Sequence, residues 1–221
     1  MILAIDTATR WAGLALHDET AVIAEYGWRC LQNHTVEIAP TIADMLSRVD
    51  LEIGDLDAVA VAIGPGSYTG LRVGLALAKG LALAGQIPLI GVPTLDIVAF
   101  SFEQMPVQLL VAAEAGRTRV CAAIYQWQDE QGWQPRRPPV IDTWDNIITS
   151  TEKPTLFAGE ITPDATKLIR NKSRHFTVAS PAVSTRRAGF LAELGWQRLR
   201  NGQVDDAASL APIYLRDPAG R

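Results

Sequence analysis

The chain has 221 residues, room for one domain or two small lobes, and its apolar fraction of 48% and charged fraction of 20% are those of a globular protein with a real core. Its net charge of −4 argues against autonomous nucleic-acid binding, which draws on a basic surface, so any RNA contact needs a local patch or a basic partner. Asp6 interrupts the first apolar run too early for a secretory signal, and no run approaches the roughly 20 apolar residues of a membrane span. Cys30 and Cys121 lie far apart and form no CxxC pair, so the expectation is a cytoplasmic protein with two reduced thiols.

Met1 to Ile5 is a short apolar run ending in Asp6, followed by the polar turn Thr7-Ala8-Thr9-Arg10. Trp11–His17 and Ala21–Trp28 predict two more strands around the turn Asp18-Glu19-Thr20, and such short turns favour antiparallel pairing. Asn33 reads as a helix N-cap, with Val36, Ile38, Ile42, Met45, Leu46 and Val49 at mostly helical spacing behind it. Asp57–Ile63 is a continuous apolar run, consistent with a central strand buried on both faces. It breaks at Gly64-Pro65-Gly66, after which a helix is expected from Ser67 or Tyr68 to Leu83. Leu89–Val92 predicts a strand and Asp96–Phe102 a helix.

The second half opens as the first does. With Asp6 placed on Glu114 and no gap, Ile2–Ile5 falls on Leu110–Ala113 and Leu14–Leu16 on Ala122–Ile124, with the turn on residues 115–118. Beyond a hairpin tip near Gln131-Gly132, Pro135–Pro139 reads as an extended edge or linker. Thr155–Ala158 then predicts a strand, Pro163–Ile169 a helix, His175–Val178 a strand and Thr185–Arg200 a long helix closed by Asn201-Gly202. Two halves that each begin with a carboxylate-tipped strand and a β-meander suggest an α/β, duplicated actin-like fold. Its two lobes would have mixed central sheets flanked by helices, as in sugar kinases and Hsp70; a chance match of two β-hairpins is the alternative. The lobes are expected at 1–103 and 104–221, with the C-terminal helix free to pack back on the first.

The segment from Gly64 to Gly74 carries the most specific pattern: Gly64, Pro65, Gly66, Ser67, Tyr68, Thr69, Gly70, Leu71, Arg72, Val73, Gly74. Glycines here permit close backbone approach, and Ser67 or Thr69 can cap the helix. A helix start of this kind can hold an anion, but no Gly-Lys-Ser/Thr follows as in a P-loop, so a structural or interface role is the stronger reading. Gly70, Gly74, Ala78 and Ala82 recur every four residues as a small-residue stripe, to pack on the chain's own sheet or on a partner's helix. Asp6 and Glu114 end the two equivalent strands, where an actin-like fold can hold a magnesium–nucleotide. The turn after Asp6, beginning at Thr7, has no glycine and carries Arg10 and Trp11, which impairs a phosphate cradle. His34 and Glu37 are too few for a metal site, and His34 reads as a helix-start residue.

The segments Ile2–Thr9, His34–Pro40, Gly64–Gly74, Ile90–Asp96 and Pro212–Arg216 resemble, in that order and over nearly the whole chain, the TsaB (YeaZ) family. The resemblance implies an actin-like, non-catalytic subunit that pairs through first-lobe helices with a TsaD-like transferase. That enzyme would form threonylcarbamoyladenosine in tRNA, with a TsaE-like ATPase joining the pair and tRNA reached indirectly through the complex. It makes His34 and the glycine segment through Ala78 the expected partner surface, and Asp6, Thr7 and Glu114 a vestigial nucleotide cleft. No cofactor or metal is expected in this chain, while a nucleotide at the partner interface and a homodimer through the same stripe stay open. Where TsaD carries two metal-binding histidines, this chain has Thr94 and Val98, which make no transition-metal site. The rival reading is an ATPase or sugar-kinase-like enzyme using the interlobe cleft. Family members often have aspartate at Glu114, and Gln128–Pro139 matches the family little.

Overall fold

The computed structural model describes residues 1–30, 34–115 and 119–215, the side chains of 34 and 35 aside. The chain forms two compact units, Met1–Thr94 with Arg187–Ile213, and Leu95–Arg186 with Tyr214 and Leu215.

In the first unit, β1 (Ile2–Asp6), β2 (Trp11–His17) and β3 (Val22–Arg29) form an antiparallel meander. The helix α1 (His34–Ser47) leads to β4 (Ala58–Gly64), then α2 (Tyr68–Gly85) and β5 (Leu89–Pro93). The sheet order is β3-β2-β1-β4-β5, with β4 parallel to both neighbours. Every residue of β4 is buried, as its unbroken apolar run requires for a strand covered on both faces. On one face Leu3, Ile5, Leu14, Leu16, Val59 and Val61 pack against Ile38, Ile42 and Met45 of α1 and Leu75, Ala78 and Ala82 of α2. Each large aliphatic side chain fully buried there is worth about 1.5–3 kcal/mol, which fixes both helices on the sheet.

The opposite face has small residues at its closest contacts. There the last helix, α7 (Ala188–Arg200), lies close: a Cβ on Gly195 would come 2.6 Å from that of Ala60, and one on Gly13 3.2 Å from that of Ala188.

The second unit begins with α3 (Thr94–Phe100), β6 (Gln108–Glu114), β7 (Val120–Gln128), β8 (Gly132–Pro135) and β9 (Val140–Asp142). It continues through α4 (Trp144–Thr149), β10 (Thr155–Gly159), α5 (Pro163–Lys172), β11 (Phe176–Val178) and α6 (Pro181–Ser184). Its sheet order, β11-β10-β6-β7-β8, repeats that of the first unit, with β9 added beside β7. The repeat carries one correction. Asp6 pairs with Gly13 across residues 7–12, whereas Glu114 pairs with Val120 across residues 115–119, so the second turn is one residue shorter and the alignment needs a gap.

The boundary expected between 103 and 104 falls between Thr94 and Leu95. The cause is α3, whose Leu95, Val98 and Ala99 join the core of Leu109, Val111 and Tyr125, while the Tyr125 hydroxyl donates to Asp96 at 2.5 Å. The last long helix starts at Ala188 rather than Thr185, because Pro181 opens a separate turn of helix before it. The unpredicted α4 has a legible cap in Thr143, whose hydroxyl accepts from the Asn146 amide at 3.4 Å, and it buries Ile147 and Ile148. Asn33 lies outside the described residues, and α1 begins at His34. Both cysteines are buried thiols outside any disulfide, and burial pushes the Cys121 thiol up to about 12, leaving it a protonated apolar filler at neutral pH. Among the described residues no helix is long and apolar enough to cross a membrane.

Candidate functional site

The glycine segment turns between the buried end of β4 and the start of α2. Gly64 has φ +106°, a conformation glycine adopts without cost, and its amide donates to the Thr94 hydroxyl at 3.0 Å. Thr94 is therefore fully buried as an anchor of this turn, and Val98 is a core residue of the second unit. Ser67 caps α2 by accepting from the Gly70 amide at 3.3 Å, and its own amide donates to the Ala8 carbonyl at 2.6 Å.

The small-residue stripe faces inward. A Cβ on Gly66 would overlap the Ala8 carbonyl oxygen, one on Gly70 that of Thr7, and one on Gly74 the Thr7 hydroxyl. That hydroxyl donates to the Gly70 carbonyl at 2.7 Å. Ala78 and Ala82 continue the same face into the aliphatic core. Gly64, Pro65, Gly70, Gly74 and Ala78 are thus interior residues, and the reading that this stripe meets a partner is corrected: the β1–β2 turn of the same chain fills it.

The same packing settles where Asp6 and Thr7 lie. Both are buried, Thr7 completely, and one Asp6 carboxylate oxygen accepts from the Ala8 amide at 2.9 Å. In the second unit Glu114 is exposed, and its amide donates to the Glu160 carboxylate at 2.8 Å, a group that also faces the buried Arg186 at 3.5 Å. Among the described residues no three His, Cys, Asp or Glu side chains come together.

The outward face of α2 carries Ser67, Tyr68, Thr69 and Arg72 at its start, the Arg72 guanidinium lying 3.9 Å over the Tyr68 ring. Farther along come Ala76, Gly80, Leu83 and Ala84, with Val73 and Leu77 half-buried. Beside them α1 exposes Val36, Ala39, Pro40 and Ala43. Between the helices runs a groove of about 510 Å³ lined by Ile38 and Ala39 from α1 and by Tyr68, Thr69, Arg72, Val73, Ala76 and Leu77 from α2. Leu83 is 70% and Val36 65% exposed. Nothing lies within 4 Å of a Cβ on Gly80. This second small row, Ala76-Gly80-Ala84, is the one sequence reasoning missed, although its four-residue spacing was in plain view.

A family model described as tRNA N6-adenosine threonylcarbamoyltransferase, TsaD, matches residues 28–219. The tRNA threonylcarbamoyladenosine biosynthesis protein TsaB of Escherichia coli K12 is 39% identical over 98% of this chain and 94% of its own. The protein of the same name from Bacillus subtilis 168 is 32% identical over 97% of this chain and 93% of its own. The chain belongs to the TsaB family. The solved structure of YeaZ from Pseudomonas aeruginosa superposes with a TM-score of 0.79 at 22% identity, over 97% of this chain and 99% of that one. The ethanolamine utilization protein EutJ from Carboxydothermus hydrogenoformans follows at a TM-score of 0.50 and 12% identity, over 87% of this chain and 89% of its own. The fold is the actin-like one, with two mixed sheets flanked by helices.

Proposed function

We propose that this chain works in the biosynthesis of threonylcarbamoyladenosine in tRNA as the non-catalytic partner of a TsaD-like transferase. The target is the adenosine beside the anticodon in tRNAs reading codons that begin with adenine, and a TsaE-like ATPase completes the assembly. The observation that carries the proposal is the apolar α1–α2 face, open at Gly80 and edged by Tyr68 and Arg72. Aromatic and arginine side chains beside an apolar groove are a composition enriched in protein–protein interfaces. The non-catalytic part of the reading draws on Asp6 and Thr7, both buried, with the Thr7 hydroxyl donating to the Gly70 carbonyl of α2 and one Asp6 oxygen accepting from the Ala8 amide.

The deciding experiment is a reconstituted tRNA modification reaction with the TsaD-like and TsaE-like proteins, threonylcarbamoyl-adenylate and unmodified tRNA, with and without this chain. Product only in its presence is expected. Equal product without it overturns the proposal, and ATP turnover by the isolated chain that is lost in Asp6→Ala would replace it with the enzymatic reading. Self-association through the same face is the competing use of it, so sedimentation across concentrations, with and without the TsaD-like protein, shows whether the two compete.

A further inference from the structure

The second unit has a pocket of about 320 Å³ whose lining includes Arg136, Arg137 and Lys153. Glu152 is the single carboxylate in its wall. All three cations are exposed, and none forms an ion pair among the described residues. The topology extends this charge along one end of the sheet. The parallel strands β6, β10 and β11 all begin there, tied by backbone bonds from Gln108 to Pro154 (3.1 Å) and from Thr155 to His175 (3.2 Å). Arg136 joins the same end from the far side, its amide donating to the Ile124 carbonyl of β7 at 2.9 Å. Arg174, exposed just before β11, lies at the other extreme.

From β7 across β6 and β10 to β11 is three strand spacings, roughly 14 Å. A row of cations that long, on a chain of net charge −4, exceeds what one phosphate ion needs and suits a run of phosphodiesters. We propose that this end of the second unit, centred on the pocket between Arg136–Arg137 and Lys153, binds the phosphate backbone of RNA. The inference takes its RNA from the proposed function, in which the substrate is tRNA. Backbone contacts of this type add affinity and position the nucleic acid without reading sequence.

The test is binding of a tRNA transcript across a salt series, by the full chain alone and in complex with the TsaD-like protein. Wild type is compared with the triple variant Arg136→Ala/Arg137→Ala/Lys153→Ala and with the single charge reversal Arg137→Glu. The triple variant should bind more weakly for every tRNA tried, with the slope of log affinity against log salt reduced by roughly 2–3. Arg137→Glu should weaken binding in the same direction. Unchanged affinity and slope in both variants overturn the proposal, as does displacement of the RNA by equimolar inorganic phosphate or an acidic peptide. Complex formation, read by gel filtration, should be unaffected by either variant. Failure of wild type to form that complex would count against the proposed function and leave the comparison on the isolated chain intact.

Discussion

The two small-residue rows of α2 run side by side with the same spacing, yet one is sealed and the other open. Gly70 and Gly74 are pressed against the Thr7 backbone and hydroxyl, and Ala78 and Ala82 against the aliphatic core. On the other side Gly80 meets nothing, and Ala76 and Ala84 are exposed. A small side chain next to backbone is a condition for folding. A small side chain next to solvent, between exposed Leu83 and the open flank of α1, is room kept for something else. The difference teaches that a period-four pattern names a close approach without naming the partner in it.

The widest break in the comparison comes from enlarging the sealed row. Gly70→Val would drive a branched side chain into the Thr7 carbonyl, a backbone atom that cannot step aside. The loss should exceed the about 1–3 kcal/mol typical of overpacking, and a denaturant melt should find the variant largely unfolded. A fold as stable as the parent's would mean that the β1–β2 turn is not seated on α2 in solution.

A smaller effect, and one on binding alone, is expected from the open row. Leu83→Asp should leave the melt within about 0.5 kcal/mol of the parent, as an exposed substitution does. It should weaken binding to the TsaD-like protein by about tenfold or more, measured by calorimetry, because it sets a charge in an apolar contact. Undiminished binding would place the interface elsewhere. The mildest change is Gly80→Ala, which should raise stability by about 0.5–1 kcal/mol through helix propensity, since no atom opposes the added methyl. A destabilised Gly80→Ala would show that this face is already packed.

Much of the fold was legible. The meanders, the doubly buried β4 and the repeat between the halves follow from apolar runs and turn residues, which act locally. Of the two caps the sequence offered, Ser67 and Thr69, it is Ser67 that serves, a hydroxyl before a helical run reaching an amide three residues on. The candidate site was legible in its segment and not in its direction. Tyr68, Thr69 and Arg72 are outward, whereas Gly64, Pro65, Gly70, Gly74 and Ala78 from the same reading are inside. Asp6 was read as a strand-end carboxylate, and only its burial against the turn shows that it bonds the Ala8 amide. The basic row on the second unit was invisible because Arg136, Lys153 and Arg174 come from three separate connections that only strand pairing brings to one sheet end.

By itself the sequence determined most of the strands and helices, that the two halves repeat, and which family the segments from Ile2 to Arg216 resemble. These rest on local periodicity, capping and residue order, all of which are written along the chain. Only the tertiary structure decided which row of α2 is covered, that α3 belongs with the second sheet and α7 with the first, and that Thr94 holds a turn. Those outcomes depend on contacts between residues distant in sequence, such as Thr7 with Gly70, Asp96 with Tyr125 and Gly195 with Ala60, whose energies exist only once the chain has closed on itself.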